Sequence, residues 1–278
     1  MTTAILESIE RLSRDLKESA ITLSKDETRF LVDAYYMMQD QRLRAENQVR
    51  SLSKTGEPHV VLDWLSIQSR VLENQVKRAL DQYSQSHLVG RWSRSHVGIG
   101  PVISAGLIAH IDIEKAPTAG HIWNYAGLNP GIKWEKGQRR PWNAELKTLC
   151  WKIGTSFIKM KGKEGSVYRE IYEQHFKTVE KNNKANKFKT QAAEILKTKK
   201  ISKITNAYKA YSKGKLPDAH VIARGRRAAV KLFLSHWHHI AFEDHYGKPP
   251  PMPYAIAHLA HAHYLEPQWG PMSEDEFA

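Results

Sequence analysis

Apolar residues recur at helical spacing along most of the chain, and the alternation typical of strands is nearly absent. One face of a first helix, predicted over residues 4–20, carries Ile5, Ile9, Leu12 and Leu16. Steps of three and four residues keep such side chains on a single helix face. The pattern therefore predicts an all-α fold class.

Two longer helices with matching apolar seams follow. Ser24 and Glu27 have the spacing of a capping box, which predicts a helix running from there to about residue 54. A break at residues 56–58 precedes a third helix, predicted over about 59–88. Matched seams predict a long antiparallel helical hairpin, and heptad-like seams also favour a homo-oligomer formed through these N-terminal helices.

Two polar residues interrupt these seams. Arg42 stands in the first seam and Gln68 in the second. Either residue could face a partner or set the register of the two helices. Polar residues at such positions are best known for fixing register, so we favour that interpretation.

The rest of the chain is predicted to be helical as well. Asn143 and Asp218 are suitable N-caps for helices that run to about residues 160 and 246. The breaks divide the chain into a helical hairpin arm at residues 1–89, a helix-hairpin-helix domain at 90–163, and a basic, His-rich helical C-terminal region at 164–278.

Positive charge is concentrated in one block. The 278 residues include 42 Lys and Arg against 29 Asp and Glu, a net charge of +13. Residues 133–215 hold 22 basic and 7 acidic residues, whereas the rest of the chain holds 20 basic and 22 acidic ones. A field concentrated in one segment favours a nucleic-acid partner over a membrane.

Other bulk features predict a cytoplasmic protein. No apolar run approaches the length of a membrane span, and the N-terminus lacks the pattern of a signal peptide. The single cysteine, Cys150, cannot form an internal disulfide, which fits a reducing compartment.

The stretch Gly98-Ile99-Gly100 predicts the turn of a helix-hairpin-helix. A dinucleotide site requires a preceding strand and a third glycine, and a P-loop requires Gly-Lys-Ser/Thr, so neither pattern fits here. Two glycines allow a tight turn, and Pro101 is suited to the first position of the next helix.

Amide groups at this turn are candidates for phosphate contact. We expect the backbone around Gly98, Gly100 and Val102 to present N–H groups at a helix N-terminus, where an anion is favoured. Arg91 and Arg94 add positive charge nearby. Such contacts read the nucleic-acid backbone and carry no base specificity. The alternative is a turn that contacts no ligand.

A second candidate surface interleaves tryptophans with basic residues, a pattern typical of nucleic-acid grooves. Trp134 and Trp142 flank the basic loop, where contact with nucleic acid and packing in a small core are both open. For Trp151 we favour core packing, and for Cys150 a buried, inert thiol. The basic candidates are Lys133, Lys136, Arg139, Arg140 and Lys147.

Several of these segments occur in a characteristic order. GIGPVISAGLIAHI at residues 98–111 is followed by IWNYAGLNP at 122–130, then by Arg139-Arg140 and by the segment 143–147. This order resembles the C-terminal domain of the serine-using, guide-RNA-dependent DEDD-type insertion-sequence transposases. The resemblance covers roughly residues 26–160 and implies a helix-hairpin-helix DNA-binding domain preceded by a long helical pair.

The chain departs from that family at both halves of its active site. The family has an N-terminal RNase-H-like domain with four acidic metal ligands, whereas no βαβ pattern precedes residue 90 here. The family's nucleophilic serine follows Ala-Gly-Leu-x-Pro, but no Ser or Thr lies between Trp123 and Lys147, and Glu135 or Lys136 stands at that position. We therefore predict no catalytic residues and no cofactor.

Histidines in the C-terminal third form two pairs with helical spacing. These pairs are His236 with His239 and His258 with His261. A zinc site would require three or four such ligands, and no cysteine lies nearby. We expect hydrogen bonding within a helical core, or contact with phosphates and bases, rather than metal binding.

The sequence thus predicts a non-catalytic, backbone-directed nucleic-acid-binding protein related to a mobile-element transposase, with DNA favoured over RNA. Two alternatives remain open. One is a recombinase or nuclease component that acts with a separate catalytic subunit. The other is a phage or mobile-element structural or accessory protein that binds RNA or an acidic protein.

Overall fold

The computed structural model describes residues 14–54, 56, 60–132, 134–251 and 265–271. Within these ranges the chain forms eleven α-helices and two short 3-10 turns, with no strand, so the predicted all-α fold is confirmed. None of the described helices combines the length and apolar character that crossing a membrane requires.

Contacts within the chain divide it into two compact units. The described part of the first unit comprises residues 14–95 and 99–114, and that of the second comprises 96–98 and 115–271. The domain boundaries at residues 90 and 164 stay a prediction. The first two helices of the segment predicted as a helix-hairpin-helix domain belong to the first unit.

In the part of the first unit that the structure describes, the chain forms five α-helices. Residues 4–13 of the predicted first helix lie outside the described residues. The second helix begins as predicted, because Ser24 Oγ accepts the N–H of Glu27 at 3.2 Å while the Glu27 carboxylate accepts the N–H of Ser24 at 2.8 Å. The helices are α1 (Arg14–Ser19), α2 (Lys25–Leu52), α3 (Val60–Gln85), α4 (Leu88–Arg94) and α5 (Pro101–His110).

Arg42 joins the two long helices of the hairpin. Its guanidinium pairs with Glu73 on α3 and with Glu46 on its own helix, and Arg70 of α3 also pairs with Glu46. Contacts from residue 42 to 73 and from 46 to 70 run in opposite directions along the two helices, which makes the hairpin antiparallel. The pairing supports the interpretation that Arg42 sets the register, and Gln68 is buried as well.

The predicted pair of helices around the Gly-Ile-Gly turn is present. Ser104 of α5 donates to the carbonyl of Gly90 at 3.1 Å, so the two helices meet closely. Gly90 lies inside α4, so the hairpin arm does not end at this residue. Arg29 of α2 donates to the Ala109 carbonyl at 2.9 Å, which attaches α5 to the hairpin.

The described residues of the second unit form six α-helices. Asn143 caps α7 as predicted, accepting the N–H of Leu146 at 2.7 Å. Asp218 is instead the first residue of α11, and its cap position is Pro217. The helix predicted at residues 255–264 lies outside the described residues. The helices are α6 (Ala119–Tyr125), α7 (Ala144–Lys159), α8 (Val167–Lys184), α9 (Lys189–Thr198), α10 (Asn206–Ser212) and α11 (Asp218–Tyr246).

An aromatic cluster forms the core between α7, α8 and α11. The rings of Phe157 and Tyr168 stack at 4.9 Å, and Phe233 meets Tyr168 edge-on at 5.0 Å. His236 closes the cluster with its Nδ1 at 2.8 Å from the Tyr168 hydroxyl and its Nε2 at 2.8 Å from the Leu265 carbonyl. A carbonyl can only accept, so Nε2 carries the proton and the tyrosine donates to Nδ1.

His236 should make stability depend on pH. Burial lowers the pKa of His236 from 6.5 to about 4, so the unfolded chain takes up a proton in this window and the folded chain does not. The contribution of His236 to stability is therefore complete above the pKa of this residue in the unfolded chain, and it falls as the pH drops. Through His236, the wild-type protein should lose about 2 kcal/mol of unfolding free energy when the pH falls from about 7.5 to about 5. We expect the His236→Gln variant to lack this part of the loss. Urea unfolding of both proteins at the two pH values measures this difference.

The other histidines are present in both proteins, so the difference between the two pH dependences reports the effect of replacing residue 236. The same pH dependence in both proteins would show that His236 does not titrate in this window.

Candidate nucleic-acid interface

The two arginines beside the Gly-Ile-Gly turn make their contacts within the first unit. Arg91 donates to the carbonyl of Gln85 at 2.9 Å. Arg94 pairs with Asp81, and its side chain is only 14% exposed. These contacts reduce the free positive charge that the sequence suggested at this turn.

The turn itself is well packed. The side chains of Ile99 and Val102 are buried. Gly98 has a φ of 96°, and its carbonyl accepts a hydrogen bond from Ser156 at 2.6 Å. At Gly100, by contrast, a Cβ would meet no atom within 4 Å. Contact of phosphate with the amides around Gly98, Gly100 and Val102 stays a prediction.

The basic loop of the second unit is open to solvent. Lys136, Arg139 and Arg140 are all exposed, whereas Lys133 lies outside the described residues. The Arg140 guanidinium lies 5.5 Å from the ring centre of Trp134. A cation over an indole face is held by the negative face of the ring, so the loop presents its charge on an aromatic support.

Trp134 and Trp142 form a pair at the base of this loop. Their rings meet edge-to-face with centres 6.4 Å apart. The indole N–H of Trp134 donates to the carbonyl of Gln138 at 2.8 Å, which closes the loop on itself. Lys147 lies on the other ring, with its Nζ 3.9 Å from the centre of Trp142. Both tryptophans thus place cations in defined positions.

A pocket of about 350 Å³ lies between the end of α6, the start of α7 and the middle of α11. Its size falls in the range of small-molecule sites. The turn after α6 supplies one wall, α7 supplies Lys147 and Trp151, and α11 supplies Arg226 and Arg227. The lining contains no carboxylate.

Trp151 corrects one sequence interpretation. We expected core packing, but its side chain is 53% exposed, and the Arg226 guanidinium lies 5.3 Å from its ring centre. The reason is helical geometry, because its neighbour Cys150 takes the inward-facing position. Burial raises the pKa of Cys150 to about 12, so the interpretation as a buried, inert thiol is confirmed.

The arginines of α11 were missed because the basic block was taken to end at residue 215. Residues 223–231, ARGRRAAVK, contain four basic residues and no acidic one. Arg224, Arg227 and Lys231 are spaced by three and four, which places them on one helix face. Charge spacing on the already predicted α11 was the signal that could have identified them.

Positive charges crowd one another around Arg227. Burial lowers the pKa of Lys147, Arg226 and Lys231, and the positive charge of Arg227 lowers each of them further. None of the three pocket cations, Lys147, Arg226 and Arg227, forms an ion pair within the described ranges. A bound anion would relieve this repulsion, so the arrangement is suited to phosphate.

The histidines do not assemble a metal centre in the part of the chain that the structure describes. Both ring nitrogens of His236 already have hydrogen-bonding partners, so this residue is not available to a metal. His239 lies 3.6 Å from the carboxylate of Glu243. The other two candidates, His258 and His261, lie outside the described residues.

The packing of the pocket wall should require glycine at position 127, because a side chain there would collide with Trp142. Its φ is 62°, and a Cβ there would lie 2.8 Å from Cγ of Trp142 and 3.1 Å from Cδ of Lys147. We expect Gly127→Ala to lower the unfolding free energy by about 2 kcal/mol, from backbone strain and from displacement of the indole. Urea unfolding followed by tryptophan fluorescence measures the loss.

Gly247→Ala is the matched control, since Gly247 has a φ of 64°, close to that of Gly127, but a Cβ there would meet nothing within 4 Å. The control retains the strain without the collision, so a smaller loss is expected. Equal losses in the two variants would show that Trp142 does not depend on Gly127.

Comparison of this chain with protein-family models, with curated proteins and with solved structures finds no match.

Proposed function

We propose that the protein binds nucleic acid through backbone phosphates, with the basic surface of its second unit as the contact. We define this basic surface as the exposed loop cations Lys136, Arg139 and Arg140 together with the three pocket cations. DNA is the favoured partner because of the resemblance to a transposase DNA-binding domain. The proposal contains no catalytic step.

The observation that carries this proposal is that, among the described residues, Arg227 and its neighbouring cations have no acidic partner. Surface cations normally alternate with carboxylates, which neutralise them. The described lining of the pocket instead holds Lys147, Arg226 and Arg227 and no carboxylate. Phosphate is the anion that nucleic acid offers at high density, and arginine can bind it with two parallel hydrogen bonds.

Aromatic support of the charges is a second argument for phosphate binding. Lys147 and Arg140 rest on Trp142 and Trp134, and Arg226 rests on Trp151. A cation held against a ring loses little further freedom when a phosphate binds, which favours affinity. Contacts of this kind read charge and not sequence, so we expect little sequence preference.

Removing the two loop arginines should weaken the salt dependence of binding. Each phosphate contact contributes about −0.9 to the slope of log K against log salt for duplex DNA. We therefore expect Arg139→Gln/Arg140→Gln to make the slope shallower by about 1 to 2. Fluorescence-anisotropy titrations of a labelled duplex at several salt concentrations measure the slope.

Arg44→Gln/Arg50→Gln is the charge-matched control, because both arginines lie exposed on α2 of the first unit. The control should retain the wild-type slope. If both double variants shift the slope equally, net charge and not this surface drives binding. If no duplex, single strand or structured RNA binds at low salt, the proposed function is wrong.

A further inference from the structure

The pocket beside the basic loop combines features that a backbone-binding surface does not require. A flat or grooved basic surface is sufficient for binding duplex phosphates. This pocket is concave, has a volume of about 350 Å³, and has an apolar part formed by side chains such as Leu128, Ile132 and Val230. The apolar part indicates a ligand group that leaves water.

The polar and aromatic groups of the pocket form a second, distinct part. Lys147, Arg226 and Arg227 supply positive charge, and the indole of Trp151 stands at the wall with about half of its surface exposed. Cations next to an apolar, ring-walled space suit a ligand that joins a phosphate to a planar ring. A nucleotide is such a ligand, since its base stacks on aromatic side chains and its phosphate pairs with arginine.

A fully paired duplex cannot use the pocket in this way. Bases inside a duplex are stacked on one another, and a base can reach a concave site only when it is unpaired or turned out of the helix. The apolar part of the pocket would then remain empty on duplex DNA, while the basic surface would still contact phosphates.

We propose that this pocket takes one unpaired nucleotide of the bound strand, with its base against Trp151 and the apolar wall and its phosphate on Arg226, Arg227 and Lys147. The inference rests on the proposed function and adds a substrate class to it, namely nucleic acid that carries an unpaired base. The position of the cations is fixed by α7, since a Cβ at Gly154 would lie 2.3 Å from Cγ of Arg226.

The test measures the affinity of the full chain for three labelled duplexes at one salt concentration. One duplex is fully paired, the second carries a single bulged nucleotide, and the third carries the same bulge without its base. Stacking of one base on an aromatic side chain gives about a tenfold gain or more. We expect the bulged duplex to bind about tenfold more tightly than the other two.

Variants then test whether the gain in affinity for the bulged duplex comes from the pocket. Trp151→Ala should weaken binding of all three duplexes to some extent, because Arg226 loses its supporting ring. It should weaken binding of the bulged duplex about tenfold more, which abolishes the preference for the bulged base. Trp64→Ala is the matched control, because this tryptophan is also exposed but lies on α3 of the first unit. It should retain the preference. Arg227→Gln should weaken binding of all three duplexes and of the bulged duplex most.

The outcomes separate the two proposals. Equal affinity for all three duplexes would overturn the inference about the pocket and leave the proposed function intact. A preference for the bulge that survives loss of its base, or that survives Trp151→Ala, would also overturn it, because duplex distortion and not the pocket would be recognised. Absence of binding to every duplex would overturn the inference about the pocket, and absence of binding to single strands and structured RNA as well would overturn the proposed function.

Discussion

The close approach of α11 to α7 and α8 is the constraint on which the second unit depends. A Cβ at Gly154 would meet the Arg226 stem at 2.3 Å, and a Cβ at Gly225 would meet the Tyr172 ring at 3.2 Å. Hydrogen at these two positions lets α11 pack directly on its neighbours. The same packing fixes the direction of the arginines that α11 carries, so the core and the basic pocket have one structural origin.

Three positive groups in and beside the pocket lie on aromatic rings and pair with no acid among the described residues. Lys147, Arg226 and Lys231 each lie over a different tryptophan, Trp142, Trp151 and Trp123 respectively. An indole face partly offsets the desolvation of a cation but occupies only one side of it. The N–H groups at the edge of a guanidinium remain free to donate. A carboxylate partner would have taken those donors, whereas a ring leaves them for phosphate.

Local signals determined which parts of this architecture could be predicted from the sequence. The capping box at Ser24 and the cap at Asn143 marked helix starts correctly, because a cap acts within one turn of the chain. The arginines of α11 were missed and Trp151 was placed in the core. Helical spacing in the sequence could have corrected both errors, but it could not reveal the pocket, because residues 127, 147 and 226 are distant in sequence and only the packing of three elements brings them together.

The crowding of positive charges around Arg227 also links anion binding to folding. Repulsion between Lys147 of α7 and the arginines of α11 arises when the two helices pack, because the unfolded chain separates these charges in water. An anion that neutralises them together binds the folded form more tightly than the unfolded chain, and the difference in binding free energy adds to the stability of the folded form. Polyanions would thus act on this protein as conformational chaperones, raising its melting temperature with concentration even where no particular sequence is recognised.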